Sequence, residues 1–318
     1  MSDLFSKDAQ DTAVTNQLFF EKLASGDPLM RKQAEDAITA YTRTTIREDS
    51  FMERIMPSME ITNSDLTRQV TTDKPVVVVD REGDSPGAIS VGFGTLPVNY
   101  YFRYPRYLVT FERMLTPRFT KDVAELRTYI MDIRQVISDN SIKDMLAEKD
   151  GKFLQAVDTA LVGANQTVPA SGSVQWREIN DGITRDSLAD SLKVMPDTPF
   201  HLEVHTCLAN VITNKDLLKI ARDEFGGDKA QDVMINGWTS DQLMGKRWLF
   251  TIKKSMVPTG TVYQFADPKY IGKHYELEAP TMYIKQEAYM LEFFTYTMTG
   301  ATLGHLGGLA RIDFLGAQ

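Results

Sequence analysis

Lys74-Pro75-Val76-Val77-Val78-Val79-Asp80 opens the stretch that decides the fold. Four valines in a row are a strong strand signal, because β-branched side chains suit a pleated backbone. Asp80-Arg81-Glu82-Gly83-Asp84-Ser85-Pro86-Gly87 follows, dense in residues that turn a chain. Ile89, Val91 and Phe93 then alternate, and Val98 to Tyr104 and Tyr107 to Phe111 read as further extended runs. Together these predict a hairpin-like arm of several strands over residues 60–112, projecting from a body. Its tip is charged and glycine-rich, which suits an arm better than a core.

Upstream, residues 1–59 read as a helical arm. Asp27-Pro28 is a helix start, with Asp capping and Pro at the first helical position. Met30, Ala34, Ile38 and Tyr41 recur at helical spacing, and an earlier helix around residues 13–24 carries Leu18, Phe19 and Leu23. Pro57, Asn63 and Ser64 then break the helical texture.

Downstream, Thr120 reads as the N-cap of a long helix, with Asp122 and Glu125 where the helix dipole favours acids. Val123, Leu126, Ile130, Ile133 and Ile137 form one apolar stripe, and Ser138-Asp139-Asn140-Ser141 is expected to interrupt it. A second helix carries Met145, Leu146, Phe153, Val157 and Leu161, and residues 163–172 read as a loop. An α/β mixture follows: helices at 184–194 and 214–225, strands at 202–212 and around Met244 to Phe250. The ending is strand-rich, with Tyr283, Lys285, Tyr289, Leu291 and Phe293 alternating before Leu309 to Phe314.

Composition narrows the function. The chain has 318 residues and a formal net charge of −8, with 42% hydrophobic residues and one cysteine, Cys207. That length favours two packed sub-regions over one core. The apolar fraction is that of a folded protein, and a single cysteine cannot build a disulfide scaffold. An acidic balance argues against a protein whose main task is to grip nucleic-acid phosphates. The first residues, Met1-Ser2-Asp3-Leu4-Phe5-Ser6-Lys7-Asp8, lack a basic region followed by an apolar stretch, so no secretory signal is expected. No apolar run approaches the roughly 20 residues of a membrane span.

Catalytic motifs are missing. Gly245-Lys246 is followed by Arg247, not by Ser or Thr, so it is no phosphate-binding loop. Gly92 and Gly94 lack the following helix that a dinucleotide site needs. His201, Glu203, His205 and Cys207 alternate and are all zinc-ligand types. Neighbouring positions on one strand suit a tetrahedral site poorly, so the simpler reading is a strand with its polar side outward. His274 and His305 are isolated. The expectation is no enzyme, no metal and no cofactor.

The order of parts is more informative than any motif. A helical arm, a charged-tip hairpin, a long amphipathic helix, an α/β region and a strand-rich end resemble the major capsid proteins of tailed bacteriophages, the HK97-like fold. Ile46-Arg47-Glu48-Asp49-Ser50-Phe51 through Ile55-Met56-Pro57, then Ile61-Thr62-Asn63-Ser64-Asp65-Leu66, resembles that family's arm entering the body. Lys74 through Phe111 resembles its extended loop, and Phe119-Thr120-Lys121-Asp122-Val123-Ala124-Glu125-Leu126 the start of its spine helix. Tyr289 through Gly300 and Leu309 to Phe314 resemble its closing elements.

The resemblance implies an α+β capsid fold. Its parts would be an N-terminal arm (1–59), an extended loop (60–112), a peripheral region (113–172 and 274–318) and an axial region (173–273). It implies self-assembly in hexamers and pentamers into an icosahedral shell around double-stranded DNA, in a virion assembled in the host cytoplasm. Portal, scaffolding and decoration proteins would be further partners, with no membrane and no tight DNA binding. Arg81, Glu82 and Asp84 at the loop tip and Arg103 and Arg106 at its base are the candidate subunit-interface residues, since exposed charge sets partner register. Some family members crosslink subunits through Lys and Asn. Residues 75–120 contain no Lys and no Asn follows Asn236, so assembly is expected to be non-covalent. The rival readings are an encapsulin-like compartment and, from another class, a cytosolic α/β enzyme.

Overall fold

The computed structural model describes residues 29, 32, 33, 36, 39, 50–67, 73–80, 90–94, 96, 99, 106–122, 133–167, 175–180, 182–198, 201–211, 213, 242–251, 253, 255–287 and 289–315. Along the chain these form α1 (Phe51–Ile55), β1 (Met59–Glu60), β2 (Val76–Asp80), β3 (Arg106–Thr110), β4 (Glu112–Leu115), β5 (Phe119–Asp122) and the long helix α2 (Ile133–Thr167). Then come β6 (Trp176–Ile179), α3 (Arg185–Lys193), β7 (Thr206–Asn210), β8 (Gln242–Leu243), β9 (Lys246–Thr251) and β10 (Thr261–Phe265). The end consists of α4 (Pro268–Ile271), β11 (Gly272–Glu287), β12 (Met290–Leu303) and β13 (Leu309–Phe314). The helix expected at 214–225 and the loop tip at 81–89 lie outside the described residues.

Helix α2 spans 35 residues, about 52 Å at 1.5 Å per residue. It differs from the expectation at both ends. Phe119–Asp122 is a strand, paired antiparallel with Met290–Phe293, so Thr120 sits opposite Glu292 and does not cap a helix. The expected break at Ser138-Asp139-Asn140-Ser141 is absent, and helix continues through Gly163 to Thr167, where a loop was expected. Ser, Asn and Asp cost a helix interior only a few tenths of a kcal/mol each. Burial of Ile142, Met145, Leu146, Phe153, Leu154, Val157 and Leu161 on one face outweighs that. Helix α3 matches its expected position. Thr184 Oγ1 accepts from Ser187 N, and Ser187 Oγ accepts from Thr184 N, a reciprocal cap.

Two larger sheets flank α2. The first has the order β1-β11-β12-β4, with β5 also on β12. Its centre is the antiparallel pair β11–β12, in register from Gly272↔Leu303 to Glu287↔Met290. Register shifts fall around Glu278, beside Pro280, which has no N–H for the ladder. Met282, Ile284, Leu291 and Phe293 are buried, whereas Tyr283 and Tyr289 are exposed.

The second sheet has the order β6-β13-β10-β7-β9-β8. Every residue of β7 and β10 is buried, because helices and loops cover both faces of these central strands. Here the core is continuous: Trp248, Tyr263, Phe265, Leu208, Leu161, Leu188 and Met195 are all below 2% exposed. Strand β13 was expected with the peripheral region but pairs with β10 and β6 in this sheet. The third sheet is the isolated ribbon β2–β3.

Candidate functional site

The ribbon β2–β3 is the described root of the expected arm. Its antiparallel register runs from Val76↔Thr110 to Asp80↔Arg106. A two-stranded hairpin is marginal alone in water, so its root must be held by other elements. Thr67 N donates to Val76 O at 2.9 Å and Phe111 N to Pro75 O at 3.1 Å. Val76 and Val109 are buried, while Leu108 faces out.

The root lies against the end of β12, and glycine makes the approach possible. A Cβ on Gly300 would stand 2.8 Å from Thr110 O, and one on Gly304 would stand 2.9 Å from the Tyr107 ring. Thr302 Oγ1 donates to Leu108 O at 3.2 Å. Burial, and then the neighbouring Tyr275, push the Tyr107 phenol above its usual range.

Of the interface candidates, Arg106 alone falls among the described residues. Its Nε donates to Asp80 Oδ1 at 2.7 Å across the ribbon, and both side chains are well exposed. Arg81, Glu82, Asp84 and Arg103 lie outside the described residues. Farther along the arm, Val91, Phe93 and Leu96 are exposed, Phe93 and Leu96 almost completely.

Glu112, just beyond the ribbon, ties it to α2. Its carboxylate accepts from Lys74 and from Lys152, each at 3.3 Å, and these two cations hold its pKa below the usual carboxylate value. All three side chains are about half exposed, so the link is salt-sensitive and contributes little to stability.

A buried polar cluster anchors the chain that enters from the N-terminal side. Asp150 of α2, fully buried, accepts from Ser50 Oγ at 2.8 Å and from Met52 N at 3.3 Å. It also accepts from Lys253 Nζ at 2.9 Å. Asp150 thus caps the start of α1, a five-residue helix too short to persist unaided. One turn away, Glu53 pairs with Lys149 of α2 and accepts from Ser58 N at 2.9 Å. His274 of β11 faces the same pair, its Nδ1 3.8 Å from Glu53 Oε2 and 3.4 Å from Met56 O. Its Nε2 has no hydrogen-bond partner among the described residues.

Burial would raise the Glu53 carboxyl, but Lys149, His274 and the two hydrogen bonds carry it below its ordinary value. Burial, helped by Lys149 and opposed by Glu53, pushes the His274 imidazole down to about 4. At neutral pH the cluster therefore holds a carboxylate at Glu53 and a neutral imidazole at His274.

A second cluster fixes α2 to the six-stranded sheet. Arg311 of β13 reaches Asp158 of α2 at 3.1 Å and both oxygens of Asp313 at 3.2 Å. Its guanidinium lies 4.1 Å from the Trp176 ring centroid. Trp176 Nε1 donates to Asp313 at 2.7 Å, and Tyr263 OH to Asp158 at 3.3 Å. None of these residues stood out in the sequence. The available signal was Lys149-Asp150 inside the apolar stripe of α2, since charges at core positions are seldom buried without partners.

No cluster of His, Cys, Asp and Glu among the described residues could hold a metal ion. His201, Glu203 and His205 are exposed and precede β7, while Cys207 is buried in it. The two do not form the one-sided row that strand alternation suggested. No described helix is long and apolar enough to cross a membrane.

No family model matches the chain, and no curated protein matches it by sequence. Solved structures do resemble it. The capsid of a native GTA particle aligns with a TM-score of 0.55 at 12% identity, over 83% of this chain and 90% of that one. A chain from Microbacterium phage Oxtober96 aligns with a TM-score of 0.56 at 10% identity, over 83% and 91%. The virus-like particle from Pyrococcus furiosus aligns with a TM-score of 0.50 at 8% identity, over 87% and 98%. Each alignment covers nine-tenths or more of the known chain. The protein has the HK97-like fold of phage major capsid proteins.

Proposed function

We propose that this chain is the major capsid protein of a tailed bacteriophage. Copies assemble in hexamers and pentamers into a closed icosahedral shell around double-stranded DNA, and no reaction is catalysed. The observation that carries the reading is the β2–β3 arm. It is rooted on β12 and α2, while Phe93 and Leu96 farther along it stand in solvent. Such an arm gains packing and strand pairing only against another copy.

Residues 1–59 and 60–112 are the arms, and α2 with the β11–β12 sheet makes the peripheral region. Residues 173–273, joined by β13, make the axial region. Arg81, Glu82, Asp84, Arg103 and Arg106 set register between copies, Arg106 through the ribbon geometry that its pair with Asp80 maintains. The net charge of −8 limits adhesion to packaged DNA. Portal, scaffolding and decoration proteins complete the virion, which is assembled in the host cytoplasm. Copies are held non-covalently.

A compartment shell that encloses protein is the second reading, favoured by the likeness to the Pyrococcus furiosus particle. The contents of particles formed in a phage-producing cell decide between them. Nuclease-protected double-stranded DNA supports the phage reading, and a stoichiometric enclosed protein without DNA supports the other. A discrete monomer or dimer that never forms particles contradicts both.

A further inference from the structure

Helix α2 borders a groove of about 530 Å³ on the side of the six-stranded sheet. Leu154, Asp158 and Val162 of α2 line one side, and Trp176 of β6 and Met256 line the other. The α2 lining runs from Gly151 to Val162, about 16 Å along the helix. That length suits a segment of polypeptide better than a compact ligand. The apolar lining is only partly covered: Val162 is 45% exposed, and Trp176 and Met256 are half-buried.

Asp158 is the only charged lining residue among the described ones. Its partner Arg311 is the more enclosed of the two, its side chain 15% exposed against 35% for Asp158. Arg311 is also engaged by Asp313 and by the Trp176 ring, and it does not line the groove. The lining therefore presents a carboxylate and no cation. Gly151 is a second, independent sign. A glycine inside a helix is destabilising relative to alanine. No described neighbour requires it, since a Cβ there would meet only the Met256 side chain, at an ordinary 3.8 Å. Its effect is to keep that end of the groove open.

We propose that this groove receives a segment of a different protein, which brings an arginine or lysine to Asp158 and apolar side chains to Val162, Trp176 and Met256. The site is complete on one chain, so it does not rest on the assembly reading above. Val168-Pro169-Ala170-Ser171-Gly172-Ser173-Val174, between α2 and β6 in the sequence, has no Lys, Arg or His and cannot supply the cation. A carboxylate on a chain of net charge −8 favours a basic partner over another acidic copy. A segment seated there touches α2 and the six-stranded sheet together, and so bridges the two.

The test pans a displayed library of short random peptides on the full-length chain. Enriched peptides should carry Arg or Lys close to apolar residues, and should bind more weakly as salt rises. Asp158→Asn keeps the side chain's size and removes its charge, and should weaken them at least about fivefold. Gly151→Leu fills the end of the groove and should lose them while melting no lower than the natural chain. Val162→Lys, at an exposed position, places a like charge beside the incoming cation and should lose them too, with the fold unchanged. A library that enriches nothing overturns the proposal. So do enriched peptides without a cation, or peptides that bind the natural chain and the Val162→Lys chain equally. Self-association that Val162→Lys abolishes and no enriched peptide competes with would give the groove to a second copy and overturn the assignment. None of these readouts depends on whether shells form.

Discussion

Glu53 on the short helix α1 and Lys149 on the long helix α2 form an ion pair closed off from solvent, each side chain only 7% exposed. The pair joins the incoming arm to the longest element of the body. Two desolvated charges are a costly way to hold a contact, and removing one partner leaves the other uncompensated. Lys149→Ala should destabilise the folded chain by about 3–5 kcal/mol. The double variant Glu53→Met/Lys149→Met should lose clearly less than the sum of the single changes. Chemical denaturation of all three variants checks this, and additive losses would contradict the pairing.

Acid should loosen the same anchorage. The folded His274 imidazole accepts a proton only near pH 4, whereas an unfolded one does so near 6.5. Between those values the unfolded chain binds more protons, so stability is complete above about 6.5 and falls as pH drops toward 4. By pH 4.5 the loss from this group is on the order of 2–3 kcal/mol. Glu53, whose pKa is also lowered, adds a further loss once pH falls below the ordinary carboxylate value. Urea midpoints at pH 7.5 and 4.5 should differ strongly for the natural chain and much less for His274→Gln. Equal pH slopes for the two would refute the assignment.

Gly300 sets how closely the arm's root can approach β12. A Cβ there would lie 2.8 Å from the Thr110 carbonyl oxygen, which is backbone and cannot rotate away. Gly300→Val should therefore destabilise by about 1–3 kcal/mol and push the ribbon outward. Faster hydrogen exchange at amides of residues 106–110 reports the displacement. Native-like exchange together with native stability would show that the root is not held there.

Cys207 should be chemically silent. It is fully buried, and burial pushes its thiol up to about 12. Maleimide should leave the native chain unlabelled and react once per chain in denaturant. Labelling of the native protein would mean that β7 is not the interior strand described above.

Local sequence signals recovered the parts whose causes are local. Val76–Asp80 announced itself by β-branching, Arg106–Thr110 overlaps the extended run read at Tyr107 to Phe111, and the helix read at 184–194 is α3. The strand at Phe119–Asp122 has no such mark. It exists because it pairs with residues 290–293, some 170 positions away, and its Thr120 looks like a helix cap to any local reading. The placement of β13 between β10 and β6 is likewise a long-range outcome. Lys149 and Asp150 were readable as charges within an apolar stripe, but their partners on α1, β11 and residue 253 were not. Arg81, Glu82 and Asp84, read as interface residues for their charge, lie outside the described residues, whereas the exposed Phe93 and Leu96 carried no such mark. The alternation of Ile89, Val91 and Phe93 read as strand, and the structure exposes Val91 and Phe93 outside any strand.

Electron microscopy of the purified full-length chain tests the central claim most directly. The account predicts closed icosahedral shells in which each arm lies across the adjacent copy. A uniform population of isolated monomers or dimers, under every condition tried for assembly, would contradict it.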